Sequence, residues 1–261
     1  MTASLIGCWL MNEGTGNKVY DMSGNRNDGT FGAGAASPSW ATGKYGHATS
    51  YDGGDNTTVA DSPSIQFTSP ETFTVAAWML TRATGSNDGF IGNSEFEGGG
   101  YMLGITAAGD LIFILNNDAQ QYGNNALITV YTNTWYYVVG VYDGINSHIY
   151  IDGVLKHSMS ASITPSGSTL LIGDGQQGGW DGFNGQIDNA MLFNRALSAS
   201  EIALLYREPF CFMAEDLPVE MMYEYAAPPP SGSQVIMIQM ASIPFIFIFG
   251  IVFLMRGKNV K

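Results

Sequence analysis

Short apolar runs recur along this chain, each closed by glycine, asparagine or aspartate. They include SLIGCWLM, TFTVAAWML, GYMLGIT, DLIFILN, ALITVY, TWYYVVGVYD, SHIYID, TLLIGD and QIDNAMLF. Their spacing of roughly 8–12 residues is that of strands in an all-β sandwich. Several alternate or are rich in β-branched and aromatic residues, as half-buried or core strands are. The turns carry the same message. In SHIYIDGVLKH the pair Asp152-Gly153 sits between two apolar arms, which predicts a type I′ hairpin. TAAGDLIF predicts a second hairpin around Gly109-Asp110.

One helix is signalled. LSASEIALLY opens on Ser198 with Glu201 three residues later, a capping box, and puts Ile202, Leu205 and Tyr206 on one face. The texture changes after Arg207. Residues 208–234 hold five prolines, five acids and no basic residue, and read as an acidic, Pro-rich arm ending in PPPSGS. Residues 235–255, Val235–Met255, are uncharged and apolar. As a helix they reach about 30 Å, the thickness of a bilayer core. A basic tail, 256–261, follows with Arg256, Lys258 and Lys261.

Net charge is −13. Residues 1–207 account for −11, the arm for −5 and the last 27 residues for +3. An acidic surface repels phosphate backbones, so nucleic acid is not an expected partner. The two cysteines, Cys8 and Cys211, make no disulfide framework. They read as two thiols, with a bridge from the first strand to the region beyond the domain as the alternative.

The opening MTASLIGCWLMNEG has no basic residue before Lys18 and reads as a first strand rather than a secretory signal. The basic tail would keep its own end cytoplasmic and turn the large domain outward. An exposed head with no signal, a proline-rich neck and an apolar foot suggest assembly in the cytoplasm, as in a phage or virus spike or fibre. The expected location is then a virion or an anchored surface. The foot would lie in a membrane or in the hydrophobic core of a homo-oligomer.

Six ordered motifs then resemble one family. They are GCWLMNEGTGNKVYDMSGNRNDGTF, YGHATSYDGGDNTTVADSPSI, FTVAAWM, TWYYVVGVYDG, IYIDG and FNGQIDNAMLFNRALSASEIALLY. Together, over residues 5–206, they resemble the laminin-G-like, concanavalin A-like jelly-roll domains. Tyr137 stands where that family often has histidine, which reads as a packing change. The resemblance implies an all-β fold of two antiparallel sheets in a jelly-roll sandwich with one short C-terminal helix, here residues 1–207. It also implies a carbohydrate or protein ligand, and a structural calcium in many members.

Candidate sites follow from residue chemistry. Glu13, Asp21, Asn27 and Asp28 crowd one glycine-rich turn region with oxygens suited to calcium. Asp188 interrupts a core-like strand that pairing of the first and last strands would bring near them. The alternative is that Asp21, Ser23 and Asn25 only form Asx turns. For a glycan, Trp180, Tyr122 and Phe96 sit in polar loops with Asp181 and Asn117 as polar partners.

Catalysis is not expected. No E-x-D-x-x-E run pairs carboxylates for glycoside hydrolysis, and Glu95 and Glu97 stand in a glycine-rich loop. His47, His148 and His157 have no metal spacing, and no G-x-S-x-G is present. The chain therefore reads as a non-catalytic recognition or adhesion protein for a glycan or surface receptor. A structural virion or assembly component is the alternative, and a carbohydrate-active enzyme a weaker one.

Overall fold

The computed structural model describes residues 4–95, 98–116, 124–174, 176–177 and 180–211. A compact unit spans Met1–Asp216. Its strands in chain order begin with β1 (Leu5–Trp9), β2 (Lys18–Val19), β3 (Gly29–Phe31), β4 (Ser39–Thr42), β5 (His47–Asp52) and β6 (Thr57–Val59). Then come β7 (Phe73–Thr81), β8 (Asp88–Gly92), β9 (Ser94–Glu95), β10 (Tyr101–Ile105), β11 (Asp110–Leu115), β12 (Asn124–Thr129) and β13 (Trp135–Tyr142). The last are β14 (Asn146–Ile151), β15 (Val154–Ser160), β16 (Leu170–Ile172), β17 (Gln176–Gln177), β18 (Asp181–Gly182) and β19 (Asn184–Phe193), followed by helix α1 (Ala199–Arg207).

Two antiparallel sheets result. The first runs β15-β14-β13-β7-β19-β5-β4. β19 shares one side between β5, along Asn184–Ile187, and β1, along Ala190–Phe193. The second runs β12-β11-β10-β8-β16-β6-β3-β2, with β18 added in parallel to β8. β9 and β17 pair as a small parallel ribbon.

β7 shows why the sandwich forms. Phe73, Val75, Ala77 and Met79 point into the space between the sheets, against Phe90, Leu103, Ile105 and Phe113 of the second sheet. Ala76 and Trp78 point the other way, where Tyr137, Val139 and Val141 of β13 join Ile202 and Leu205 of α1. A strand buried on both faces reads as an unbroken apolar run rather than an alternating one, as TFTVAAWML does. The helix is what covers the second face. Its capping box is complete: Ser198 Oγ accepts from Glu201 N, and the Glu201 carboxylate accepts from Ser198 N. Tyr206 stacks on Trp78 at 5.6 Å, and Tyr137 packs on the same indole at 5.3 Å.

The β14–β15 hairpin turns as expected. Asp152 and Gly153 both have positive φ, 51° and 78°, the type I′ signature. The β10–β11 hairpin also forms, but its turn is Thr106–Gly109, closed by Gly109 N to Thr106 O, and Asp110 already belongs to β11. No disulfide joins Cys8 and Cys211; both pack in the cluster around Trp78. Among the described residues no helix is long and apolar enough to cross a membrane. The arm beyond residue 211 and the expected foot at 235–255 lie outside them.

Candidate functional site

The outer face of the second sheet is apolar as well. Tyr101, Leu103 and Ile105 of β10 serve the inter-sheet core, so Met102 and Gly104 face outward, beside Ile112 and Ile114 of β11. Met102, Ile112 and Ile114 form a separate buried cluster, and half-exposed Trp180 packs against it. Gly104 makes room for the indole. A Cβ there would stand 3.0 Å from Trp180 Cζ3 and 2.8 Å from the Asp88 carbonyl oxygen. The backbone beside Trp180 is pinned: Asp181 N donates to Asn87 O at 2.8 Å, and β18 runs alongside β8.

Asp181 is held differently from Trp180. It lies opposite Asp88, which in turn lies opposite core-facing Ile105. Asp88 is almost fully buried and accepts from the Ser86 hydroxyl. Burial pushes its carboxyl up, and the Asp181 charge adds to that, against the Ser86 bond. Sequence reasoning missed both Asp88 and Gly104. The only signal was an acid and a glycine inside otherwise apolar strands.

Two of the expected loops meet. Ser94 pairs with Gln176 and Glu95 with Gln177, so the segments leading to Phe96 and to Trp180 run side by side. Phe96, Asn117 and Tyr122 themselves lie outside the described residues. Asn116, next to Asn117, is fixed: its amide donates to Ser162 O, and its carbonyl accepts from Thr164 N at 2.7 Å.

The expected calcium ligands divide into two groups. Asp21 Oδ1 accepts from Cys8 N and Ser23 N, and its Oδ2 accepts from Asn27 N and Ser23 Oγ. Asp28 Oδ1 accepts from Asp21 N. Asn27 donates to Ile6 O and accepts from Ser62. These side chains organise the turn, with the Asx contact from Asp21 to Ser23. Glu13 accepts from Tyr20 N through Oε1, while its Oε2 is buried without a partner.

Asp188 is fully buried on β19 and accepts from Tyr45 N at 2.8 Å through Oδ2. Its Oδ1 has no partner, nor has either amide atom of the buried Asn189. Burial pushes the Asp188 carboxyl up to about 7, against three backbone hydrogen bonds. A bulge between Asp188 and Met191 and a positive φ at Asn189 set this pair apart from the regular ladder. β1 stands between the two groups, pairing with β19 on one side and bridging Asp21 through Trp9 on the other. Unpartnered carboxylate and amide oxygens are the ones a hard cation takes, so Glu13, Asp188 and Asn189 each keep an oxygen for calcium where Asp21 has both occupied. Among the described residues no group of three or more His, Cys, Asp or Glu side chains converges as a metal cluster.

Comparison with known proteins agrees with this architecture. A laminin G-type family model, described as the concanavalin A-like lectin/glucanases superfamily, matches residues 52–203. The chain belongs to the concanavalin A-like lectin/glucanase superfamily. The superfamily match takes in Trp180, Asp181 and Asp188, and begins after Glu13, Asp21, Asn27 and Asp28. No curated protein sequence matches this member. Among solved structures it resembles the binding domain of Paraclostridial mosquitocidal protein 1, with a TM-score of 0.65 and 16% identity over 80% of this chain and 53% of that one. It equally resembles domain 4 of AbnA, an extracellular arabinanase from Geobacillus stearothermophilus, solved with arabinotriose. There the TM-score is 0.65 and the identity 17%, over 78% of this chain and 98% of that one. Botulinum neurotoxin type C, described as entering cells through two ganglioside molecules, aligns with a TM-score of 0.61 and 17% identity, over 79% and 51%. The superfamily member thus spans about half the length of the two toxin chains. At these identities the likeness is one of fold.

Proposed function

We propose that this chain is a recognition module that binds a saccharide on the outer face of the second sheet, with Trp180 as its platform. The observation that carries the reading is a half-exposed indole packed over Gly104 on an apolar sheet face. An aromatic face against sugar C–H groups, flanked by a few polar groups, is the common chemistry of such sites. A domain of the same fold is solved with arabinotriose, and cell entry of a toxin of the same fold depends on interaction with two ganglioside molecules, which favours oligosaccharides as ligand class. Calcium held by Asp188 and Asn189 would support the frame and take no part in the contact. Val235–Met255 would hold the head at a bilayer.

The test is isothermal titration and glycan-array binding of the full chain, using arabino-oligosaccharides and ganglioside glycans among the probes. Wild type is expected to bind, and Trp180→Ala to weaken binding by about tenfold to a hundredfold. A blank array, or equal affinity in the variant, overturns the reading. Regular lipid-free assemblies by a head that binds no sugar would favour the structural role instead.

A further inference from the structure

The β13–β15 corner holds a feature unrelated to Trp180. Asp143 closes the β13–β14 turn, and its Oδ1 accepts from Ile145 N at 2.9 Å and Asn146 N at 2.6 Å. Its Oδ2 is 2.8 Å from His148 Nε2, and His148 Nδ1 is 2.7 Å from Ser158 Oγ. A carboxylate can only accept, so in the neutral ring the proton sits on Nε2. Nδ1 then carries the lone pair, and the Ser158 hydroxyl donates to it. That is the protonation pattern of an activated serine.

The register explains why the three groups meet. His148 lies directly opposite Ser158. Asp143 N donates to Asn146 O, and Ala161 N to Ile145 O. Counting in twos from these bonds, the backbone of His148 pairs with Val141 and that of Ser158 points away from β14. Side chains stand closest at such a pair. β15 is the terminal strand of its sheet, so the Ser158 N–H faces the side on which no described strand pairs with it. That N–H lies beside the nucleophile, where a developing oxyanion needs a donor. Asp143 is a firm anchor. Burial opposes its charge, but the bonds from Asn146, His148 and Ile145 prevail and hold its carboxyl at about 2. The side chains of His148 and Asp143 are 21% and 35% exposed, and Ser158 is exposed, so a substrate has access.

The geometry points to a second activity: Ser158, His148 and Asp143 form a nucleophilic triad that cleaves small, unhindered acyl esters, with acetyl esters as substrate class. Ser158 Oγ attacks the acetyl carbonyl carbon and its proton passes to His148 Nδ1. The ester C–O bond then breaks, and the departing alcohol takes that proton. Water, deprotonated in turn by Nδ1, releases acetate and returns the serine. Ser158 and His148 are the catalytic residues; Asp143 positions the ring.

The test treats the full chain with a fluorophosphonate probe and, separately, with 4-nitrophenyl acetate, mapping adducts by peptide mass spectrometry. Ser158 is expected to carry the adduct, and His148→Gln to slow labelling by about 100-fold at an unchanged circular dichroism spectrum. No adduct on Ser158 under conditions that label a known serine hydrolase overturns the proposal without relying on any variant. Equal labelling in His148→Gln also overturns it. Trp180→Ala should label normally, so this proposal and the glycan reading fail separately.

Discussion

At the scale of single residues, two aspartates that look alike in the sequence are satisfied differently. Asp21 has both oxygens occupied by N–H and O–H donors, while Asp188 keeps one buried oxygen without a partner. Removing the first should leave several donors unmet; if calcium is held as proposed, removing the second should remove one of its ligands. Asp21→Ala is therefore expected to cost about 2–3 kcal/mol of stability with calcium uptake retained. Asp188→Asn is expected to abolish uptake in isothermal titration of EDTA-stripped protein. Saturating wild type to about 100 times the dissociation constant should add about 2.7 kcal/mol, read as a rise in melting temperature. Uptake that survives in Asp188→Asn and vanishes in Asp21→Ala would reverse the assignment. The Asx turn of Asp21 was one of the readings its sequence offered, because its partners Ser23 and Asn27 are local; the setting of Asp188 was not, because Tyr45, which donates to it, lies 143 residues away.

At the scale of elements, α1 joins local and long-range chemistry. Ser198 and Glu201 cap the helix, and Glu201 also takes two bonds from Arg195, at 2.9 and 2.6 Å. Those Arg195 bonds are the chief reason its carboxyl falls from 4.5 to about 2, with the Ser198 bonds assisting against burial. A depressed carboxyl stabilises the fold above its unfolded value, and that contribution is lost as pH falls through roughly 4.5 to 2. The pair is partly exposed, so about 1 kcal/mol is expected after screening. Glu201→Gln should lose that much at pH 7 in urea titrations and flatten this part of the acid transition. Ser198→Ala should cost about 1 kcal/mol at pH 7. An acid transition in Glu201→Gln as steep as in wild type would refute the account. The capping box was legible because it spans four residues. The Asp143–His148–Ser158 arrangement was not, since only the register of β14 on β15 brings His148 and Ser158 together.

For the whole molecule, the compact unit ends at Asp216, and the uncharged Val235–Met255 run lies beyond it. A chain ending at Asp216 is expected to melt within a few degrees of the full chain and to bind the same glycans. The full chain is expected to float with phosphatidylcholine vesicles and the shortened one to stay in solution. Equal flotation of both would count against an anchor at 235–255. Full-length assemblies that ignore vesicles would make that run an oligomer core.

The sequence by itself determined the sandwich, its hairpins, the capped helix and the family. Those depend on periodicity, turn residues and short motifs, which act over a few residues and survive as patterns. Trp180 stood out as a candidate by the same kind of local pattern, as an aromatic among glycines and polar groups. The tertiary structure alone decided that Gly104 admits its ring, that Asp88 faces Asp181, that Asp188 and Asp21 lie on opposite sides of β1, and that a serine, a histidine and an aspartate align at one sheet edge. Each of these rests on which strands become neighbours and in what register. A shift of one residue in pairing would turn every such side chain to the other face, and local pattern carries no record of it.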